Sequence, residues 1–507
     1  MSERNLGAVA SAFAAESDRT ALIDESGGIV RRRWSYVDLD RYSGGVVSLL
    51  AKREVGPGDR VGLLAYNRAE YVAAYLGILR AGAVAVLLST REPKPTLNTI
   101  TNAAALKLVF CDYDHADLLG GGINSVCFGS AGADGFDETV VPQKFGTAAT
   151  TSQTIAEILY TSGSTGIPKG VPLSHGGQLW ALDRLLPFYA SDGASQTRIV
   201  AQPLFHMNGL VTVLLGLMAG DQIVLQPKFV AEPYLIALER YGVTSVGAVP
   251  TMWARVLNLF ERGHAADLSA IRSLSLGSAP VSQQLIDRTR RLLPDVHIGI
   301  SYGTTEAGPA VFGPHPDGIP TPDLSIGYPL ANTEWQLMGG PDDHQGTLWM
   351  RNPATMDGYF DRPEQTSARM HDGWYDSGDI MRRDDQGFFY FVGRADDMFV
   401  CGGENIFPGE VESILDLHPD IVQSAVVSLH DEERGRVPVA FIVPRVGSAP
   451  SFAEVREHVI CHAPAYLYPR RMAHLTELPL AGTNKIDRAA LQLRAEELER
   501  TDSWQQM

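Results

Sequence analysis

The chain has 507 residues, of which 45% are apolar and 20% charged; this is an ordinary globular mix over enough length for several folding units, and it excludes a disordered or fibrous protein. Against 42 Lys and Arg stand 59 Asp and Glu, a formal charge of −17, so no broad basic field exists to hold nucleic acid or an anionic membrane, and an anionic ligand must be gripped locally. Four cysteines, Cys111, Cys127, Cys401 and Cys461, are far apart and form no CxxC, which argues against a disulfide framework or zinc knuckle and fits a reducing cytoplasm.

In chain order, the opening Met1-Ser2-Glu3-Arg4-Asn5 lacks the charged-then-apolar design of a signal peptide. Apolar residues recur at helical spacing over 71–80, and 83–88 then reads as a fully buried strand. Surface loops are expected at 120–122 and 131–134. The longest oily run, 209–220, is about half of the roughly 20 residues that a bilayer span needs. An amphipathic helix over 281–293 stops at Pro294, and a short strand follows over 297–302. Such alternation predicts parallel sheets covered by helices. Beyond about residue 323, short alternating runs such as 346–350 and 387–392, separated by Gly, Pro and Asp, predict antiparallel sheet or barrel. After Gly393 a smaller α+β unit is expected, with helices over 409–416 and 452–461 and strands over 425–429 and 437–443.

The most informative segment is Thr161-Ser162-Gly163-Ser164-Thr165-Gly166-Ile167-Pro168-Lys169-Gly170, directly after the apolar run 155–159. Glycines let the backbone turn tightly and present amide donors, hydroxyls add donors, and Lys169 adds charge, a combination suited to polyphosphate. The spacing is not that of the Walker loop. Taken alone, the segment also reads as a flexible linker.

Four further stretches follow: Tyr302-Gly303-Thr304-Thr305-Glu306, Tyr375-Asp376-Ser377-Gly378-Asp379, Gly393-Arg394-Ala395-Asp396-Asp397 and Asn484-Lys485-Ile486-Asp487-Arg488. With the first, and in this order over nearly the whole chain, they resemble the adenylate-forming superfamily of acyl-CoA synthetases, adenylation domains and luciferases. The resemblance implies an α/β fold: a large N-terminal domain of helix-covered sheets plus a β-barrel-like part, residues 1–395, and a small mobile α+β C-terminal domain, residues 396–507, swinging about Asp396. It also implies an Mg²⁺-dependent reaction in which a carboxylate attacks the α-phosphate of ATP, giving acyl-AMP and pyrophosphate, after which a thiol displaces AMP.

By the same resemblance, Thr161, Ser162, Gly163, Ser164, Thr165, Gly166 and Lys169 would hold the pyrophosphate end of ATP. Gly277, Ser278, Ala279, Ser301, Tyr302, Gly303, Thr304 and Thr305 would surround adenine and the α-phosphate, and Glu306 would hold Mg²⁺. Asp379 and Arg394 would take the ribose, and Lys485 would reach the acyl carboxylate and α-phosphate. Lys485, Glu306, Thr161 and Lys169 are thus the catalytic candidates. Asn484 stands where Gly precedes the lysine in most of the superfamily.

The chain closes soon after Lys485 with no carrier or condensation domain, which favours free CoA over a carrier-protein thiol or oxygen as acceptor. Arg91, Gly402, Gly403, Arg470 and Arg471 are the CoA candidates, although Leu467 replaces a lysine common in relatives. The acid pocket is expected from Trp180, Arg184, His206, Met207, Asn208, Val249, Gly277, Gly303 and Gly308. His206 reads equally as a pocket wall or a packed core histidine. Arg184 and Arg255 would favour a second anionic group on the acid if they point inward, and are surface charges if they point outward. Gly402-Gly403-Glu404-Asn405-Ile406 and Pro203-Leu204-Phe205-His206 resemble the halobenzoate-type aryl-CoA ligases, so a small aromatic acid is preferred over a small dicarboxylic, aliphatic or fatty acid. A nucleotide sensor without turnover and a plain nucleotide hydrolase are the remaining classes. No nucleic acid or integral membrane association is expected, and a homodimer is left open.

Overall fold

A computed structural model describes residues 4–15, 19–120, 122–130, 132–161, 168–189, 195–309, 311–445, 447–481, 484–501 and 503–504. Among them four sheets form. The first has seven strands in the order His297–Ser301, Ser273–Gly277, Ser245–Ala248, Thr197–Val200, Gln222–Leu225, Thr20–Ser26 and Ile29–Ser35. The second has six: Ser125–Phe128, Leu108–Asp112, Arg60–Leu64, Val84–Leu87, Ile155–Thr161 and Lys169–Ser174. All pairings are parallel except the last in each sheet, where a hairpin folds back.

The parallel strands come from short, fully apolar runs such as Val84–Leu87, which leave no face for water. The helix Ala69–Arg80 is buried along its whole length. The oily run forms the helix Met207–Ala219, which ends where Gly220 adopts φ 74°, a left-handed cap that a side chain would resist. No helix among the described residues is long and apolar enough to cross a membrane.

A third, antiparallel sheet of seven strands runs from Phe312–Gly313 to Phe389–Arg394 and is the half-barrel that the alternating runs announced. Its hydrophobic face joins the first two sheets in one core reaching from Leu6 to Phe389. The fourth sheet, five strands between Phe399–Cys401 and Arg471–His474, closes over a separate core from Phe399 to Trp504. Within that body Arg488 grips Glu412 with both ends of its guanidinium, at 2.6 and 2.8 Å, and donates to the Val426 carbonyl at 2.8 Å. The residue three places after Lys485 is therefore anchored to the body's sheet and first helix.

Beneath the glycine-rich segment, strand Ile155–Thr161 carries Glu157 into the core with no exposed surface. One carboxylate oxygen accepts from the Tyr75 hydroxyl at 2.8 Å, and the other has no partner among the described residues. Burial pushes its pKa from 4.5 up to about 7. Unfolded, the group releases its proton near 4.5; folded, it holds it until about 7. The stability tied to this proton is therefore complete below pH 4.5 and is lost as pH rises through 7, a difference worth about 3 kcal/mol. Glu157→Gln removes that penalty, so urea unfolding should show the variant gaining on the wild type between pH 4 and pH 8.

Candidate active site

The carboxyl ends of parallel strands leave a crevice where the connecting loops part. Here Ser273–Gly277 and His297–Ser301 run side by side with Gly277 opposite Ser301. A Cβ on Gly277 would lie 2.2 Å from Ser301 Oγ and 3.1 Å from its carbonyl, so a side chain there would push the strand ends apart. Ser278 then takes φ 68° and accepts from Asn208 Nδ2 at 2.8 Å, with Ala279 half-buried behind it. After Ser301 the chain turns sharply. A Cβ on Gly303 would lie 2.3 Å from the Pro309 carbonyl oxygen, Thr304 N–H donates to the Gly308 carbonyl at 3.0 Å, and Thr305 sits half-buried inside this turn.

That turn aims Tyr302 at the third sheet. Its hydroxyl donates to Asp379 Oδ2 at 2.5 Å, and Arg394 Nη1 donates to the other oxygen at 2.8 Å. Asp379 and Arg394 stand opposite each other on paired antiparallel strands, which fixes their approach. Burial lifts the Asp379 pKa above its ordinary value, opposed by Arg394, Tyr302 and Lys485. Burial and the neighbouring carboxylate also hold the Tyr302 proton firmly.

Glu306 accepts from the Tyr359 hydroxyl at 2.9 Å, and Lys169 Nζ lies 5.0 Å from the centre of the same ring. One aromatic side chain thus links the cation at the end of the glycine-rich segment to the candidate metal carboxylate. Thr161 faces Lys169 across the hairpin. Ser162, Gly163, Ser164, Thr165 and Gly166 lie outside the described residues.

Lys485 enters from the C-terminal body. Its surface is open to solvent, yet protein crowds its ammonium, and the lost hydration lowers its pKa, with Asp379 pulling it up and Arg394 pushing it further down. The same charge reaches His206, whose pKa falls to about 4 through burial, then Lys485 and Arg91. His206 packs on Phe205 with ring centres 4.6 Å apart and is neutral at physiological pH. Four separated stretches, ending in Tyr302, Asp379, Arg394 and Lys485, therefore share one cleft, with Glu306 and Lys169 coupled through Tyr359 beside Tyr375.

Among the other acid-pocket candidates, Trp180 is buried with Ala181 and Ala354, Val249 is buried, and Met207 packs half-buried against the main core. Gly308, at φ 98°, abuts Ala354. Arg184 is exposed, with no ion pair or hydrogen bond among the described residues. Arg255 pairs with Glu477 at 3.0 Å and donates to the Leu478 carbonyl.

The CoA candidates divide. Arg91 donates to the Ala481 carbonyl at 3.1 Å, on the loop of Lys485. Gly402 and Gly403, both at positive φ with open space where a Cβ would stand, make the hairpin turn between Cys401 and Glu404. Arg470 stacks on Tyr468 at 3.6 Å, whereas Arg471 is paired with Glu499. Cys401 is buried, as a structural thiol would be. Asp396 is held between Arg369 at 2.7 Å and Arg394 at 3.4 Å. Tyr359 and Arg369 were not singled out from the sequence, and Thr251, which follows the pocket candidate Val249 by two residues, touches the lysine loop. Tyr359 is 53 residues from Glu306, and no spacing rule connects them.

Residues 9–360 match the AMP-binding enzyme family and residues 410–485 match the AMP-binding enzyme C-terminal domain. The chain belongs to the AMP-binding enzyme family. This AMP-binding enzyme is 33% identical over 464 residues to the feruloyl-CoA synthase of an Amycolatopsis species, covering 89% of this chain and 92% of that protein. It is 29% identical to 4-coumarate–CoA ligase 5 of rice, Oryza sativa subsp. japonica, covering 94% and 92%. Among solved structures, the o-succinylbenzoate CoA synthetase of Bacillus subtilis, in complex with its acyl-adenylate intermediate, superposes with a TM-score of 0.79 at 26% identity, covering 97% of this chain and 99% of that one. The AMP-binding enzyme is thus of the ligase kind expected from its five stretches, with the α/β architecture that they imply.

Proposed function

We propose that the protein is an ATP-dependent ligase that joins an aromatic carboxylic acid to CoA through an acyl adenylate, releasing AMP and pyrophosphate. The observation that carries this reading is the lodging of Lys485 in the cleft of Asp379 and Arg394, a cation where a carboxylate and an α-phosphate would meet. A carboxylate is a poor electrophile, and its mixed anhydride with AMP supplies a good leaving group. The charge gathering at phosphorus during that step calls for preorganised cations and donors. Lys485 and Thr305 would supply them, Asp379 and Arg394 would hold the ribose, Tyr302 would border adenine, and Thr161 and Lys169 would face the departing pyrophosphate.

Mg²⁺ fits this arrangement. Glu306 is a half-buried carboxylate, and no group of three or more acidic, histidine or cysteine ligands exists among the described residues. A single carboxylate with phosphate oxygens and waters completing the shell is how Mg²⁺ is usually held at a nucleotide. When bound, it would neutralise phosphate charge. Residues 396–507 would move as a body about Asp396, bringing Lys485 in for adenylation and the Gly402–Gly403 turn in for thioester formation.

Neutral His206 suits a wall beside an aryl ring, and the named relatives act on feruloyl, 4-coumaryl and succinylbenzoyl acids, all of them aromatic. The test is pyrophosphate release with ferulate, 4-coumarate, 2-succinylbenzoate, benzoate and aliphatic acids, each with and without CoA. Acid-dependent release and an aryl-CoA product are expected. ATP consumption without any acid, or turnover of aliphatic acids alone, would overturn the reading.

A further inference from the structure

The loop that presents Lys485 is a tight hairpin: Leu480 bridges Ile486, Ala481 N–H donates to the Lys485 carbonyl at 2.8 Å, and Asn484 N–H donates to the Ala481 carbonyl at 3.0 Å. It is docked against the N-terminal part of the chain from two directions. Arg91 holds the Ala481 carbonyl on one side, and Arg255 holds Glu477 and the Leu478 carbonyl on the other. Between them the Thr251 hydroxyl donates to the carbonyl of Asn484, and Asn484 Nδ2 reaches Met252 Sδ at 3.6 Å.

Thr251 lies in the first turn of helix Pro250–Glu261 and is 5% exposed; Asn484 is 7% exposed. Asn484 also takes φ 59°, a left-handed conformation that asparagine tolerates better than most residues. Among the described residues three further docking contacts touch the loop at Leu478, Ala481 and Glu477, and only the Thr251 bond meets the peptide that joins directly to Lys485. Both groups are buried, so breaking this bond leaves a carbonyl without water to replace the donor.

We propose that Thr251 is a positioning residue for Lys485, its hydroxyl clamping the peptide carbonyl before the lysine so that the ammonium stays over the cleft. This rests on the proposed role of Lys485 in adenylation. A clamp on the docked loop serves only the half-reaction in which the loop is docked, and it leaves the thioester-forming half untouched. Asparagine in place of the superfamily's usual glycine belongs to the same device: its side chain fills the space beside Met252, and its backbone is less free than glycine's would be.

The experiment compares Thr251→Val, which keeps the shape and removes the hydroxyl, with Thr251→Ser, which keeps the hydroxyl. Acid-dependent pyrophosphate exchange reports adenylation, and CoA thioester formation from added acyl adenylate reports the second half. Thr251→Val should lose about 10-fold in exchange with thioester formation at the wild-type rate, and Thr251→Ser should stay within about 2-fold of wild type in both. The alkaline limb of exchange should also move to higher pH in Thr251→Val, because a freed loop lets water back around the ammonium. Equal loss in both halves, an unchanged Thr251→Val, or a Thr251→Ser as impaired as Thr251→Val would overturn the proposal. Wild type and Lys485→Ala run in parallel separate the two readings: if Lys485→Ala abolishes exchange while Thr251→Val does not alter it, the clamp fails and the ligase stands; if Lys485→Ala leaves exchange intact, the role of the lysine and the clamp fail together; if the wild type shows no acid-dependent exchange, the proposed function itself fails.

Discussion

Lys485→Ala is expected to lower acyl-adenylate formation by about 10²–10³-fold, the usual scale for removing a preorganised charge from a developing anion, while added acyl adenylate is still converted to thioester. The expectation follows from position. The ammonium sits in the electrostatic reach of Asp379, Arg394 and His206, and its desolvation lowers its pKa. The protonated form is the useful one, so wild-type adenylation should decline as pH rises through a value below the ordinary 10.5 of lysine. The alanine variant should show no such limb. Rapid quench of acyl-AMP across pH measures both, and equal loss of the two half-reactions would remove the division of labour between the cleft and the C-terminal body.

Asp379→Asn should cost about 10²-fold in kcat/KM for ATP and weaken AMP binding in parallel, because hydrogen bonds to an ionised acceptor are worth roughly 1.5–3 kcal/mol each. The two oxygens of Asp379 are engaged by Tyr302 at 2.5 Å and Arg394 at 2.8 Å. The Arg394 bond is compatible with a ribose on the same carboxylate; the Tyr302 bond must yield or be shared. Nucleotide binding should therefore change the environment of Tyr302, and equilibrium binding of AMP to wild type and variant reports the loss without any acid present. An unchanged affinity would take Asp379 out of the nucleotide site.

Much of this was legible in one dimension because the residues of the candidate site sit in short contiguous motifs. Apolar runs such as 83–88 and the helix over 71–80 appear in the sequence as they appear in the fold, with boundaries shifted by caps: Ser282, for example, delays the helix expected from residue 281 to Gln283–Leu292. Tyr302, Asp379, Arg394 and Lys485 could be named from their motifs. Their partners could not. Tyr359 on Glu306, Arg369 on Asp396 and Thr251 on Asn484 join residues whose spacing carries no period and whose types are common everywhere on a protein. Arg91 and Arg255 show the same boundary from the other side. A charge read from sequence has no direction, and only packing turned the first toward Ala481 and the second toward Glu477.

The hydrophobic clusters of the N-terminal part end by Phe389, and the cluster of the C-terminal body begins at Phe399 and shares no residue with them. Cooperativity in unfolding depends on shared packing, so the two bodies are coupled by limited contacts such as the docking of the lysine loop and the Gln284 bond to the Ile421 carbonyl, and by small molecules that bridge them. A melting curve of this protein should accordingly resolve into two transitions, and substrates that span the seam should draw the smaller body's transition toward the larger one's.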